Sequence, residues 1–172
     1  APTGEFDGET ERAVIEFQRS RLLDADGRVG RLTRIVLYAA GGVSQRFGAH
    51  DGAGLAELRK KGYRIALVSW RDLPSTRRRA MDLGIDLLAL GCRDKASALE
   101  RICRHLGTEP GRALFMGDDV MDLPALRIAG YSVCPSNAHE EVRRECRLVT
   151  VKPGGAGAVR EVADHILSGR MP

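Results

Sequence analysis

Long hydrophobic runs are missing from this sequence. No apolar stretch approaches the roughly 18 residues that a membrane-spanning helix needs, so no membrane partner is expected. The opening Ala1-Pro2-Thr3-Gly4 lacks the charged and apolar regions of a signal peptide, and a cytoplasmic location is expected. Aromatic residues make up 5% of the chain, leaving little to stack on bases. Lysine is scarce too. Of the 27 basic residues only Lys60, Lys61, Lys95 and Lys152 are lysines, and the arginines are scattered, with Arg77-Arg78-Arg79 the one run. With a net charge of only +4, nucleic-acid binding is not expected. The four cysteines (Cys92, Cys103, Cys134, Cys146) form no C-x-x-C pair, and the four histidines have no zinc-like spacing. Packed, reduced thiols follow. What remains is an ordinary globular composition, 43% hydrophobic and 29% charged over 172 residues, enough for a core without covalent staples.

From about residue 53 onward, helix-like and strand-like segments alternate strictly. The runs 63–69 (YRIALVS) and 85–90 have the continuous apolar character of strands buried on both faces. Shorter strands are expected at 113–116, 131–134 and 148–151. Segments 54–61, 74–83, 95–106, 122–129, 139–146 and 159–167 read as helices, the first three closed by Gly62, Gly84 and Gly107. This predicts an α/β fold, a Rossmann-like parallel sheet of at least four strands with helices on both faces. In such folds ligands bind beyond the carboxyl ends of the strands. Ser69, Gly91 and Gly117 should therefore follow strand ends on one edge.

The loops leaving those ends are polar. They read Ser69-Trp70-Arg71, then Gly91-Cys92-Arg93-Asp94-Lys95, then Gly117-Asp118-Asp119-Val120-Met121-Asp122. One aspartate would serve as a helix cap. Three within five residues repel one another unless a cation offsets them, and hard carboxylate oxygens suit Mg²⁺. Lys95→Ala is expected to cost activity more than folding, since partly solvated acids can take up protons or metal.

These residues resemble the motifs of the haloacid dehalogenase superfamily of phosphotransferases. In particular the chain is similar to the 3-deoxy-D-manno-octulosonate 8-phosphate phosphatase branch and to the related domain fused to some CMP-sialate synthetases. Ser69 matches the second motif, the lysine of 91–95 the third, and Gly-Asp-Asp-x-x-Asp-Leu-Pro at 117–124 the fourth. The Gly-Gly-x-Gly-Ala-Val-Arg-Glu tail is 154–161, and an Asp-Gly-x-Gly turn at 51–54 precedes the first covering helix. The likeness covers about residues 34 to 168.

The first motif, Asp-x-Asp-Gly, has two placements. In one, Asp24-Ala25-Asp26-Gly27 is the motif and 34–47 the branch's β-hairpin flap. In the other, 35–43 is the first strand and the loop at 39–42 carries no carboxylate. The first placement departs from the pattern at its polar strand 17–23 and at Gly30. Residues 4–37 also resemble the second half of a peptidoglycan-binding repeat, at that repeat's spacings, but the repeat's first helix is absent and binding to peptidoglycan is not expected. The implied organisation is an extension over 1–20 with one helix, then a phosphatase-like domain over 21–172 without a cap domain.

The resemblance implies a Mg²⁺-dependent phosphatase for an eight- or nine-carbon 3-deoxy-ulosonate phosphate. Asp24 would be the nucleophile and Asp26 the general acid and base. Asp24, Asp26 and Asp118 would hold the metal, Ser69 and Lys95 would act on the phosphate, and Asp119 and Asp122 would support them. Arg71, Ser69, Gly154 and Gly155 would meet the substrate. A homotetramer would close the site. The other reading is a catalytically inactive oligomerisation or regulatory domain associated with a CMP-sugar-acid synthetase.

Overall fold

The computed structural model describes Arg12 and residues 48–171. The chain divides into two compact units, Ala1–Gln45 and Arg46–Pro172, and every described residue except Arg12 falls in the second. Asp24, Asp26, the expected flap and the 1–20 extension (Arg12 apart) lie outside the described residues.

Helix and strand alternate as the pattern requires. The order is α1 (Ala49–Lys60), β1 (Ala66–Val68), α2 (Pro74–Asp82), β2 (Leu87–Ala89), α3 (Lys95–His105), β3 (Leu114–Met116), α4 (Leu123–Ile128), β4 (Tyr131–Cys134), α5 (Glu140–Glu145), β5 (Leu148–Val149) and α6 (Ala158–Leu167). Single 3-10 turns, Pro110–Arg112 and Val120–Asp122, flank β3. Every strand pair is parallel. Among the described residues the strands form two sheets, β1-β2 and β3-β4-β5, where the pattern predicts one sheet of at least four strands.

The strands start later than the apolar runs suggest, for a definite reason. Each preceding helix ends in a Schellman cap, in which two backbone N–H groups beyond the helix turn back onto its last carbonyls. Gly62 donates to the Arg59 carbonyl and Tyr63 to that of Leu58; Gly84 donates to Met81 and Ile85 to Ala80. Tyr63 and Ile85 therefore close helices instead of opening ladders. The same cap, with its left-handed glycine, closes α3 at Gly107 and α6 at Gly169.

The first helix also corrects the sequence reading. Residues 51–54 are not a turn but lie inside α1, which starts at Ala49. Glycine costs a helix about 1 kcal/mol relative to alanine, which is why the stretch reads as a turn. Packing reverses the preference. A Cβ on Gly54 would meet the Ala163 Cβ at 3.0 Å and the Arg160 Cα at 3.2 Å, so the glycine lets α1 lie close on α6.

The three-stranded sheet is covered on both faces. Phe115 and Cys134 point into a cluster with Leu99, Cys103, Leu123, Leu126 and Val142 from α3, α4 and α5. Val133, one residue out of phase, joins Val162 and Met171 on the other face. The two-stranded sheet is less enclosed than expected. The β1 residues are half-buried, and Leu88 of β2 is exposed.

Candidate active site

The carboxyl ends of β1, β2 and β3 lead directly into the polar loops. Ser69 follows β1, and its N–H continues the ladder to the Ala89 carbonyl at 2.9 Å. The loop after β2 bonds back to it, with Cys92 N–H donating to the Ser69 carbonyl at 3.0 Å. That loop ends at Asp94, which caps α3 by accepting from the Ser97 N–H and hydroxyl at 2.9 and 2.7 Å. Those bonds hold the Asp94 carboxyl below its usual range. Lys95 is the first residue of α3, so the cap fixes where its side chain starts.

Lys95 forms an ion pair with Asp122, and both side chains are largely buried. The other Asp122 oxygen accepts from the backbone N–H groups of Asp118 and Asp119, each at 3.1 Å. The loop after β3 is thus wrapped around one carboxylate. Gly117 permits the wrap, because a Cβ there would sit 2.5 Å from the Asp122 Cβ and Cγ. Asp119 spends its own carboxylate on the Val120 N–H at 2.7 Å, as the cap of the 3-10 turn.

Asp118 is different. Its carbonyl accepts from His139 N–H at 2.8 Å, while among the described residues its carboxylate has only its own backbone N–H to draw on. The residue is exposed to solvent. Lost solvation, then the charge of Asp122, raises its pKa above the usual carboxylate range, with Lys95 pulling the other way and Asp119 adding to the rise. A carboxylate so placed gains from a cation. Among the described residues no group of three or more His, Cys, Asp or Glu side chains could hold a metal alone. A metal at Asp118 therefore needs oxygens from elsewhere.

The structure brings Lys95, Asp118, Asp119 and Asp122 together and ties Ser69 to them through Cys92. The expectation of partly solvated acids holds for Asp118 and Asp119 but not for Asp122, which is 3% exposed. Arg71 is exposed, with its backbone N–H on the Ser69 hydroxyl at 3.1 Å. Of the arginine run, Arg77 pairs with Asp72 and Arg78 with Asp82, while Arg79 reaches the Gly48 carbonyl at 3.2 Å. Gly154 and Gly155 lie on the exposed loop after β5. The Gly154 N–H donates to the Asn137 side chain at 2.8 Å, linking that loop to the one after β4. Asn137 gives no sign of itself in the sequence. Asp51 and Glu161 stand in segments that match the family, but their hydrogen-bonding roles are not legible there, because their partners are backbone groups outside those motifs or at their far ends. A shallow cavity of about 430 Å³ lies at the other end of β1, between Arg59, Tyr63, Arg64 and Asp86, away from the acids.

Known proteins resemble this arrangement. The haloacid dehalogenase-like hydrolase family model matches residues 84–161, and a peptidoglycan binding domain model matches residues 1–37. A 3-deoxy-D-manno-octulosonate 8-phosphate phosphatase of Haemophilus influenzae is 36% identical over 129 residues, 75% of this chain and 72% of that protein. The Escherichia coli phosphatase of the same name is 31% identical over 157 residues, 90% and 82% of the two chains. The crystal structure of the Moraxella catarrhalis phosphatase, in complex with magnesium, phosphate and KDO, superimposes with a TM-score of 0.71. It is 38% identical and covers 74% of each chain.

Proposed function

The chain belongs to the haloacid dehalogenase-like hydrolases, and from that premise we propose that it is a phosphatase for an eight- or nine-carbon 3-deoxy-ulosonate phosphate. One observation carries the reading. Of the three clustered aspartates, Asp122 is committed to a lysine and two backbone N–H groups, and Asp119 to the turn that follows it. Asp118, the first of them after β3, is the one whose carboxylate no other described residue is seen to engage.

The donor chemistry fits Mg²⁺, a hard cation that takes one or two carboxylates and leaves its other positions to phosphate and water. Asp118, with Asp24 and the Asp26 carbonyl, would hold it. When bound, the ion supplies positive charge against the nucleophile and the phosphate. Asp24 attacks phosphorus as the bond to the ester oxygen breaks, forming an aspartyl-phosphate and dividing one hard displacement into two. Asp26 gives the leaving oxygen its proton, then takes one from the water that hydrolyses the intermediate. The Ser69 hydroxyl donates to a phosphate oxygen, and Lys95, fixed by Asp122, adds positive charge without reorganising. Arg71 and the Gly155 N–H face the sugar acid. The segments between Ser69 and Asp118 are core strands and helices rather than a cap, so a homotetramer would complete the enclosure.

The test is phosphate release from 3-deoxy-D-manno-octulosonate 8-phosphate, with Mg²⁺ and with EDTA. Wild type should turn over only with Mg²⁺, while Asp24→Asn and Asp118→Ala should each lose at least about a hundredfold. Wild type should also be stabilised by the ion by about RT ln(1 + [Mg²⁺]/Kd), and Asp118→Ala should not. No release under any condition would sink the reading.

A second reading rests on the peptidoglycan binding domain match, because residues 1–37 contain both Asp24 and Asp26. In it those aspartates belong to a wall-binding segment and the second unit is an inactive scaffold. Retention on insoluble peptidoglycan, with no phosphate release, would favour it.

A further inference from the structure

Two carboxylates are buried among the described residues, Asp122 and Asp51. The first belongs to the phosphate end of the site. The second, 8% exposed, has no part in the phosphate chemistry. Asp51 sits in the first turn of α1, and its partners lie more than a hundred residues away. One oxygen accepts from the Arg160 N–H at 3.0 Å, the other from the Gly157 N–H at 3.2 Å. Both donors belong to the start of α6. Gly157, the N-cap of α6, has no side chain to satisfy these groups, and its φ is +107°. Asp51 therefore serves as the missing cap from another helix.

The loop that α6 terminates is pinned elsewhere by the same kind of bond. Glu161 accepts from the Val151 and Lys152 N–H groups at 2.9 and 3.0 Å, and Asn137 accepts from Gly154. Asn137 is two residues from His139, whose N–H holds the Asp118 carbonyl. A continuous set of bonds thus runs from Asp51 through the Gly154–Gly155 turn to Asp118. Ala156 N–H is spent on the Pro153 carbonyl at 3.1 Å. Gly155 N–H, exposed and at positive φ, donates to no acceptor among the described residues.

We propose that Asp51 is a positioning residue that holds the Gly154–Gly155 turn at a fixed distance from Asp118, leaving the Gly155 N–H aimed at the sugar-acid part of the substrate. This rests on the phosphatase reading. It adds that affinity for the sugar acid, as distinct from its phosphate, is set from α1. An ionised cap makes a stronger bond than a neutral one, and a carboxylate accepts two N–H groups where an amide accepts with one oxygen only. Asp51→Asn therefore keeps the volume and breaks one bond.

Two measurements test this. In Asp51→Asn, amide exchange at Gly155, Gly157 and Arg160 should quicken about tenfold, the scale of one lost charge-assisted hydrogen bond, while the β4 amides keep their protection. KM for 3-deoxy-D-manno-octulosonate 8-phosphate should rise about tenfold with kcat within about twofold, and KM for p-nitrophenyl phosphate should not move. Asn137→Ala, an exposed change that leaves α1 on α6 intact, should move the same KM in the same direction by less. Unchanged exchange at Gly157 would overturn the proposal. So would faster exchange with no change in KM, or an equal rise of KM for both phosphates. If wild type hydrolyses only the aryl phosphate, the substrate reading fails while the exchange result still decides the role of Asp51.

Discussion

The two sheets of this unit live in different environments, and the one with the more continuously apolar strands is the less buried. In β3-β4-β5, Val133 and Cys134 have no exposed surface, and residues on either side of β4 enter different clusters. In β1-β2, no strand residue is fully buried. Yet it is the runs leading into β1 and β2 that read in the sequence as strands buried on both faces. An apolar run measures what a strand can bury, and the covering layers decide what it does bury. The loop chemistry spans both environments, with Ser69 and Lys95 arriving from the first sheet's connections and the acids from the second's.

A like-for-like truncation separates the two most sharply. Leu126→Ala, at a 3% exposed site against β3 and β4, should destabilise by about 2–5 kcal/mol. Leu88→Ala, at 36% exposure, should cost less than about 1 kcal/mol, because little surface leaves or enters water. Denaturant unfolding reads both. Equal losses would mean that the two sheets share one core. Second in size is the pair that joins the loops after β2 and β3. Lys95→Met should cost about 3 kcal/mol as well as activity, since it strands a buried Asp122 carboxylate. Adding Asp122→Asn should recover part of that loss, and strict additivity of the two changes would show the pair to be uncoupled.

The smallest effect concerns alkaline pH and belongs to the three-stranded side alone. Burial, then the neighbouring Cys134 thiol and the charges of Glu145 and Asp122, push the Cys146 pKa from 9.0 up to about 12. The folded chain keeps its proton where the unfolded chain loses it. The contribution is complete below pH 9 and disappears as pH climbs towards 12. Melting temperature should therefore decline over that window, and Cys146→Ala should flatten the decline. An unchanged slope would place the titration in another group.

Much of the fold was legible from local pattern. The helix-closing glycines, the alternation of helix and strand and the acid loop after β3 each depend on neighbours within a few residues, and the structure bears them out. The site's division of labour was legible in outline, since Asp118 stands first after the strand and Asp119 and Asp122 were expected to support Lys95. That Asp122 alone takes the lysine and two backbone N–H groups was not, because the order of the acids does not say which of them turns inward. The reading of 51–54 as a turn failed because glycine's cost in a helix is local, whereas its return is contact with Ala163 and Arg160. The role of Asp51, noted in the sequence only as part of that stretch, was hidden for the same reason, since its bonds close over more than a hundred residues.

The Schellman caps have a consequence for how such a chain can change. At the amino ends of β1 and β2 only four or five residues lead from helix to strand, and the N–H groups of the first ones are already committed to the helix behind. An insertion there would break a cap and displace a strand together. At the carboxyl ends, five to eight residues separate β2 from α3, β4 from α5 and β5 from α6. The helices after β2 and β4 are capped by the side chains of Asp94 and His139, and such a cap stays with its helix when the loop before it lengthens. The loop before α6, by contrast, is pinned by Asp51, Glu161 and Asn137. Slack is therefore concentrated on the face that carries Ser69, Lys95 and Asp118. New loops, new specificities or a lid can be accepted there while the scaffold beneath keeps its register, so the freedom to evolve is built in on one side only.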